Sequence, residues 1–329
     1  MRAILLQAPD QPGDALRVVE AEKPVPGVGE VLVEVAYGGC NYADTMMRDG
    51  TYPHPKGYPL IAGLELSGRV VAVGEGVSDL TLGMAVAAFS EDAGGFAQYC
   101  AVPAERCIPL PDGLGLDLGA AFVIQGLTAF HLLHTVSTTR PGDLLLIHAI
   151  GGGVGLYLTQ LAVAAGARVI GTVGTPGKEK RALEYGAEQV FNREEKDFVD
   201  AIVAHTDGRE LDKVLDSTGA TILDRSFGLM RKLGHVVSYG EAEGRPFPNL
   251  WERLVERSLT FTRFHLGHSD FGSQAWLNGW TKVTAGLVDG QLKAPIEAVY
   301  PFEAVGEMYD ALRSRKISGK LLLAVNPDL

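Results

Sequence analysis

Leu144 Leu145 Leu146 Ile147 His148 Ala149 Ile150 Gly151 Gly152 Gly153 Val154 Gly155 is the stretch that decides the fold, together with the apolar run from Leu156 to Ala165 behind it. The leading apolar residues make a buried strand, the glycines a turn, and the following run a helix. Glycine lets a backbone approach a pyrophosphate closely, and the free amides and positive end of a new helix favour an anion there. The spacing departs from Gly-x-Gly-x-x-Gly, because counting from Gly151 and Gly153 puts Leu156 where the third glycine belongs. Ala149, Gly152 and Gly155 fit the spacing instead. A glycine cluster by itself also makes a plain tight turn; between a strand and a helix, dinucleotide binding is the better reading, with Gly153 and Val154 in the same cradle.

Working outward, Arg168 to Val173, Lys213 to Leu215 and His235 to Tyr239 read as further short strands with helical patterns between them. Such alternation predicts a doubly wound parallel α/β sheet with crossover helices. NAD-binding folds carry an Asp or Glu at the end of the second strand, on the ribose hydroxyls. Here that strand runs into Gly174 Thr175 Pro176 Gly177 Lys178, with no carboxylate and a cation nearby. A 2′-phosphate would meet Lys178 rather than an acid, which favours NADPH over NADH. Lys178 as a solvated lysine at a helix start stays open beside that reading. Arg193, after Phe191 and Asn192 at the end of the third strand, is a second cation for the same phosphate.

Farther out the texture changes. Up to about residue 120, short β-like runs lie between Gly and Pro: Val31 to Tyr37, Leu66 to Val73, Met84 to Phe89 and Phe96 to Val102. Helical segments dominate after Pro111, and beyond Thr262 the rhythm loosens again before a helix and a final strand within Ala311 to Leu323. At 329 residues two domains are expected, and a net charge of −11 speaks against nucleic acid or an anionic membrane as the main partner. The stretches Leu118 to Thr139 and Leu144 to Ala167 lack charged residues, but Gln125, His131, His134 and the glycines interrupt them, so no membrane span is expected. The apolar run after Met1 is too short for a signal peptide, and three cysteines without a Cys-x-x-Cys pair suit a reducing cytoplasm.

Asn41 Tyr42 Ala43 Asp44, Arg48 Asp49 Gly50 Thr51 Tyr52 Pro53 and Gly63 Leu64 Glu65 resemble the early catalytic segments of the medium-chain dehydrogenases. Gln125 Gly126 Leu127 Thr128 Ala129, the glycine turn, Asp216 Ser217 Thr218 Gly219 and Ser318 Gly319 Lys320 Leu321 resemble their zinc-free quinone oxidoreductase branch, of zeta-crystallin type. The resemblance implies a split GroES-like catalytic domain, residues 1–124 and 264–329, with a Rossmann domain, 125–263, inserted. It also implies a homodimer formed by pairing edge strands. Asn41, Thr128 and Gly319 would line the nicotinamide or its ribose, Tyr52 would border the substrate, and Arg263, Ser217 and Tyr239 would bind cofactor. Relatives often place a Tyr where Arg193 stands, and another where this chain has Met46.

Zinc members use Cys, His and Cys or Asp as ligands. Here Asn41 and Leu64 hold the matching positions, Cys40 is one residue out of register, and no third thiolate follows, so no metal is expected. Bland roles stay open: Asn41 as an Asx-turn residue, Tyr52 as a packed tyrosine, Asp44 and His148 as structural groups. His131, His134, His235, His265 and His268 form no ligand spacing. Alcohol oxidation leans on a Lewis acid to stabilise an alkoxide, whereas a quinone or an activated C=C bond is already electrophilic. The expected function is therefore NADPH-dependent reduction of a quinone. An alkenal or enoyl-thioester reductase and a non-catalytic NADPH-binding structural or RNA-binding protein are the alternatives.

Overall fold

Leu144–His148 is buried along its whole length and lies inside an all-parallel six-stranded sheet. The structure, a computed structural model, describes residues 1–9, 15–52, 54–242 and 249–329; Pro53 of the segment quoted above lies outside them. A strand with helices on both faces has no polar side, which is why it reads as an unbroken apolar run. In space the order is Gln189–Asn192, Arg168–Val173, Leu144–His148, Leu211–Asp216, Met230–Ser238, Thr260–Arg263. Counted along the chain this is 3-2-1-4-5-6, the doubly wound order whose reversal point opens a crevice at the carboxyl ends of the strands.

Two of these strands are longer than the hydropathy pattern suggests. Leu211–Asp216 and Met230–Ser238 carry charged residues into the sheet, where Asp212, Lys213 and Arg231 find partners and Lys232 is exposed. Asp212 accepts the Leu144 amide at 2.8 Å and Arg231 Nε at 2.5 Å, and Lys213 pairs with Asp143. Leu146, Ile170, Phe198, Val214 and Val236 belong to the core beneath.

The other unit is β-rich. Its larger sheet runs Ile296–Pro301, Lys320–Ala324, Glu30–Cys40, Glu65–Val73, Ala85–Phe89, Cys107–Pro109, with Tyr99–Pro103 also paired to Glu30–Cys40. A smaller sheet joins Leu16–Glu20, Arg2–Leu6 and Leu60–Ile61. The strand expected from Phe96 starts later, at Tyr99, because Phe96 is turned into the core at 0% exposure and edge-on to Tyr309. The last helix is Val305–Arg313, earlier than the sequence pattern places it, with Val305, Met308 and Tyr309 as its buried face.

The chain divides into Met1–Ile124 with Asp270–Leu329, and Gln125–Ser269. Residues 264–269 therefore stay with the parallel sheet rather than leaving it at 264. Phe264 N–H donates to Ser238 O at 2.9 Å, and His265 caps the turn Leu266–His268. Among the described residues one helix, Leu116–Val136, is long and apolar enough to cross a membrane, but 78% of its most apolar stretch is buried in protein. The second charge-free stretch is a strand, a turn and a helix.

Candidate functional site

The glycine turn is built by close packing. Ala149 takes a left-handed conformation, φ 50°, Gly152 N–H donates to Ala149 O at 2.9 Å, and Gly152 caps the helix Gly153–Ala164. A side chain on Gly155 would place Cβ 2.5 Å from Ile150 O, so the turn closes on the helix only if that residue is glycine. The amides of Gly153, Val154 and Gly155 then stand in a first helical turn, where N–H groups have no intrahelical acceptor and the helix end favours an anion. Gln125 lies flush on Gly153, where a Cβ would fall 1.9 Å from its Oε1. That oxygen is buried without a hydrogen-bond partner, which suits a cradle meant for a polar ligand.

The end of Arg168–Val173 meets this turn. Ile150 N–H donates to Thr172 O at 3.1 Å, and the Lys178 backbone packs on Gly151, whose Cβ would lie 2.3 Å from Lys178 O. Arg193 lies over the strand end: its backbone N–H donates to Val173 O at 2.9 Å, and its side chain comes back so that a Cβ on Gly174 would lie 2.8 Å from Nη2. The place a carboxylate would fill is thus taken by a guanidinium. Ala149, Gly152 to Gly155, Gly174, Lys178 and Arg193 fall in one neighbourhood.

Ser217, Tyr239 and Arg263 sit at the same ends of the next strands. Burial pushes Asp216 up to about 6 against three hydrogen bonds, from Thr218 Oγ1, Gly219 N and Thr218 N, which shape the turn carrying Ser217. Tyr239 N–H donates to Asp216 O at 2.8 Å, and Gly240 packs on Ser217. Arg263 pairs in register with Ser238 and donates to Glu241 Oε1 at 3.1 Å. Thr128 lies in the helix Leu116–His131, 7% exposed.

In the β-rich unit, Asn41 precedes the helix Tyr42–Arg48 and its N–H donates to Asp44 Oδ2 at 2.8 Å. Its side chain belongs to a buried network that the sequence did not reveal. Asn41 Nδ2 donates to Gly39 O at 3.1 Å and to Glu65 Oε2 at 2.9 Å, while Lys320 Nζ donates to Asn41 Oδ1 at 2.8 Å and pairs with Glu65. Glu65 Oε1 accepts the Ile124 amide at 3.1 Å. Both amide protons of Asn41 are committed, which leaves one lone pair on Oδ1 for any ligand. Burial pushes Asp44 up to about 7 and its Oδ1 has no partner. Gly319, φ 126°, immediately precedes Lys320. Tyr52 is half-buried in the loop after the helix, its N–H donating to Met46 O at 3.2 Å.

Among the described residues no three His, Cys, Asp or Glu come together as a set that could hold a metal ion. Cys40, Cys100 and Cys107 are buried free thiols.

Residues 27–112 match the alcohol dehydrogenase GroES-like domain, and residues 153–282 match the zinc-binding dehydrogenase model. A probable quinone oxidoreductase of Schizosaccharomyces pombe is 33% identical over 319 residues, 97% of this chain and 95% of that protein. A 2-haloacrylate reductase of Burkholderia is 32% identical over 305 residues, 91% of each. The structure of Escherichia coli quinone oxidoreductase complexed with NADPH superposes with a TM-score of 0.91 at 30% identity, covering 98% of this chain and 100% of that one. Matched over nearly its whole length by quinone oxidoreductases, and carrying an amide and a leucine where zinc dehydrogenases place thiolate and imidazole, the chain belongs to the zinc-free quinone oxidoreductase branch of the medium-chain dehydrogenase/reductase superfamily.

Proposed function

We propose that the chain is an NADPH-dependent oxidoreductase that reduces a quinone or related activated acceptor without a metal. One observation carries the choice of cofactor: at the end of Arg168–Val173 there is a glycine with Arg193 against it and Lys178 beside the turn, and no carboxylate. The similar Escherichia coli enzyme is complexed with NADPH, which supports the same choice. NADPH when bound supplies a hydride. Gly152, Gly153, Val154 and Gly155 hold the pyrophosphate through their amides, with Ala149 turning the chain toward them. Lys178 and Arg193 take the 2′-phosphate, and Gly174 leaves room for it. Ser217, Tyr239 and Arg263 border the cofactor at the neighbouring strand ends. Thr128, Gly319 and the remaining Oδ1 lone pair of Asn41 are the groups assigned to the nicotinamide and its ribose, and Tyr52 to the acceptor. An electrophilic acceptor leaves little for these residues to do beyond orientation, which by itself supplies much of an acceleration.

A second acceptor class, activated C=C bonds, is favoured by the similarity to a 2-haloacrylate reductase. A screen of NADPH oxidation across quinones, alkenals and enoyl thioesters separates the two. Turnover is expected with at least one class and is expected to survive chelator treatment. Tight NADPH binding with no oxidation by any acceptor would instead mean a binding protein, and stoichiometric zinc whose removal abolished turnover would overturn the metal-free reading.

The same reading includes a cytoplasmic homodimer. Three buried free thiols suit a reducing compartment. Thr260–Arg263 is an edge strand of the parallel sheet, and Trp251 and Val255, four residues apart on the preceding helix, are both exposed. An unpaired edge with apolar residues nearby is what dimer pairing covers. Light scattering at micromolar protein is expected to give twice the chain mass, and a monomer mass would count against the dimer.

A further inference from the structure

His148 is 0% exposed, and so are Thr172 and Ser226, which flank it. His148 Nδ1 lies 2.7 Å from Thr172 Oγ1, and His148 Nε2 lies 2.7 Å from Ser226 Oγ. Ser226 Oγ donates to Ile222 O at 2.9 Å, and Arg193 Nη1 donates to Thr172 Oγ1 at 3.2 Å. These contacts leave one direction for every proton. Ser226 has a single hydroxyl proton and gives it to Ile222, so it accepts from His148 Nε2–H. Burial, with Arg193 nearby, holds His148 down to about 3, so the ring is neutral and carries one N–H. Its Nδ1 is therefore an acceptor, and Thr172 donates to it. Thr172 then keeps only lone pairs for Arg193. Aligned hydrogen bonds of this kind polarise one another.

We propose that Thr172, His148 and Ser226 form a positioning relay that holds the Arg193 guanidinium over Gly174, so that they set the preference for a 2′-phosphorylated nucleotide without touching it. The proposal rests on the reading that Arg193 meets that phosphate. The guanidinium is held by Thr172 Oγ1, the Arg193 backbone is tied to the strand end through its own amide on Val173 O, and a Cβ on Gly174 would crowd Nη2. A long cationic side chain fixed in this way loses less freedom when an anion arrives, and preorganisation of this sort is what raises affinity. His148 belongs at this place because a neutral imidazole both accepts and donates, and an aliphatic residue does neither.

The test is calorimetric binding of adenosine 2′,5′-bisphosphate and of adenosine 5′-monophosphate to the whole chain. Thr172→Val keeps the shape of the side chain and removes the hydroxyl. It is expected to weaken the bisphosphate by about three- to tenfold and to leave the monophosphate unchanged. Thr172→Ser restores the hydroxyl and is expected to bind both like the wild type. Ser226→Ala, at the far end, should shift the bisphosphate in the same direction by a smaller factor. In an Arg193→Gln background Thr172→Val should have no further effect. Nitrogen NMR of the imidazole should show His148 protonated on Nε2 alone at neutral pH. Equal loss for both nucleotides, or loss that persists without Arg193, would mean that the relay only supports the fold. If Arg193→Gln weakens the bisphosphate and Thr172→Val does not, the relay fails alone. If Arg193→Gln changes nothing, the assignment of Arg193 to the phosphate fails first and takes the relay with it.

Discussion

Changing Lys178 to Ala is expected to raise the Michaelis constant for NADPH by roughly 10- to 150-fold while leaving that for NADH nearly unchanged, and Arg193→Gln is expected to do at least as much. The range is that of losing one charge-assisted hydrogen bond, on the order of 1.5–3 kcal/mol. Lys178 is fixed relative to the glycine turn because its own backbone packs on Gly151. Arg193 is fixed relative to the strand end because it bonds Thr172 and crowds Gly174. The phosphate is a group that NADPH has and NADH lacks, and it is bound equally in ground and transition states. Its loss therefore appears in the Michaelis constant and not in kcat. Equal losses with both cofactors would show that these cations support the fold, and a wild-type preference for NADH would defeat the assignment before any variant was made.

The parallel sheet was legible because its central strands are buried on both faces and its turns are punctuated by glycine. Leu144–His148 and Arg168–Val173 carry the ends that the hydropathy pattern predicts. Legibility faded where charge entered the sheet. Leu211 and Asp212 belong to a strand that reads as starting at Lys213, because ion pairs to Asp143 and Arg231 replace the missing hydrophobicity and no window of neighbours contains those partners. Phe96 failed in the opposite sense. It looks like a strand residue, yet its ring is spent on the core against Tyr309, far away in sequence.

At the site, the cradle and its two cations lie in contiguous motifs, and the sequence brought them forward. The relay behind Arg193 did not show, since Thr172, His148 and Ser226 come from two strands and a helix, and each alone looks like an ordinary buried polar residue. The Glu65 and Lys320 pair left a faint signal. Each is a charge set beside apolar residues, Leu64 and Leu66 in one case and Leu321 to Leu323 in the other. A charge in such a setting must find a partner, and opposite signs name the candidates. What the sequence lacked was the register that brings Leu321 opposite Cys40 and so puts Lys320 against Asn41.

That register makes Lys320→Met the substitution with the largest expected effect on stability. Both side chains of the pair are 0% exposed, so removing the ammonium leaves the Glu65 carboxylate buried without its counter-charge. Breaking a buried pair in this way costs about 3–5 kcal/mol, much more than an exposed ion pair contributes. The loss spreads locally, because Asn41 Oδ1 loses its donor at the same time and Gly39, whose Cβ would meet Lys320 Cε at 2.9 Å, has no side chain to fill the gap. Combining Lys320→Met with Glu65→Gln removes the stranded charge. The Gln Oε1 can still accept the Ile124 amide, and its Nε2 can donate to Asn41 Oδ1, which has lost Lys320, so the double variant is expected to recover most of the loss. Denaturant unfolding of the wild type, both single variants and the double variant measures the cycle. A single variant within about 1 kcal/mol of the wild type, or a double variant no better than Lys320→Met, would show that water or a shifted side chain reaches Glu65, and that the pair does not hold Asn41 in place.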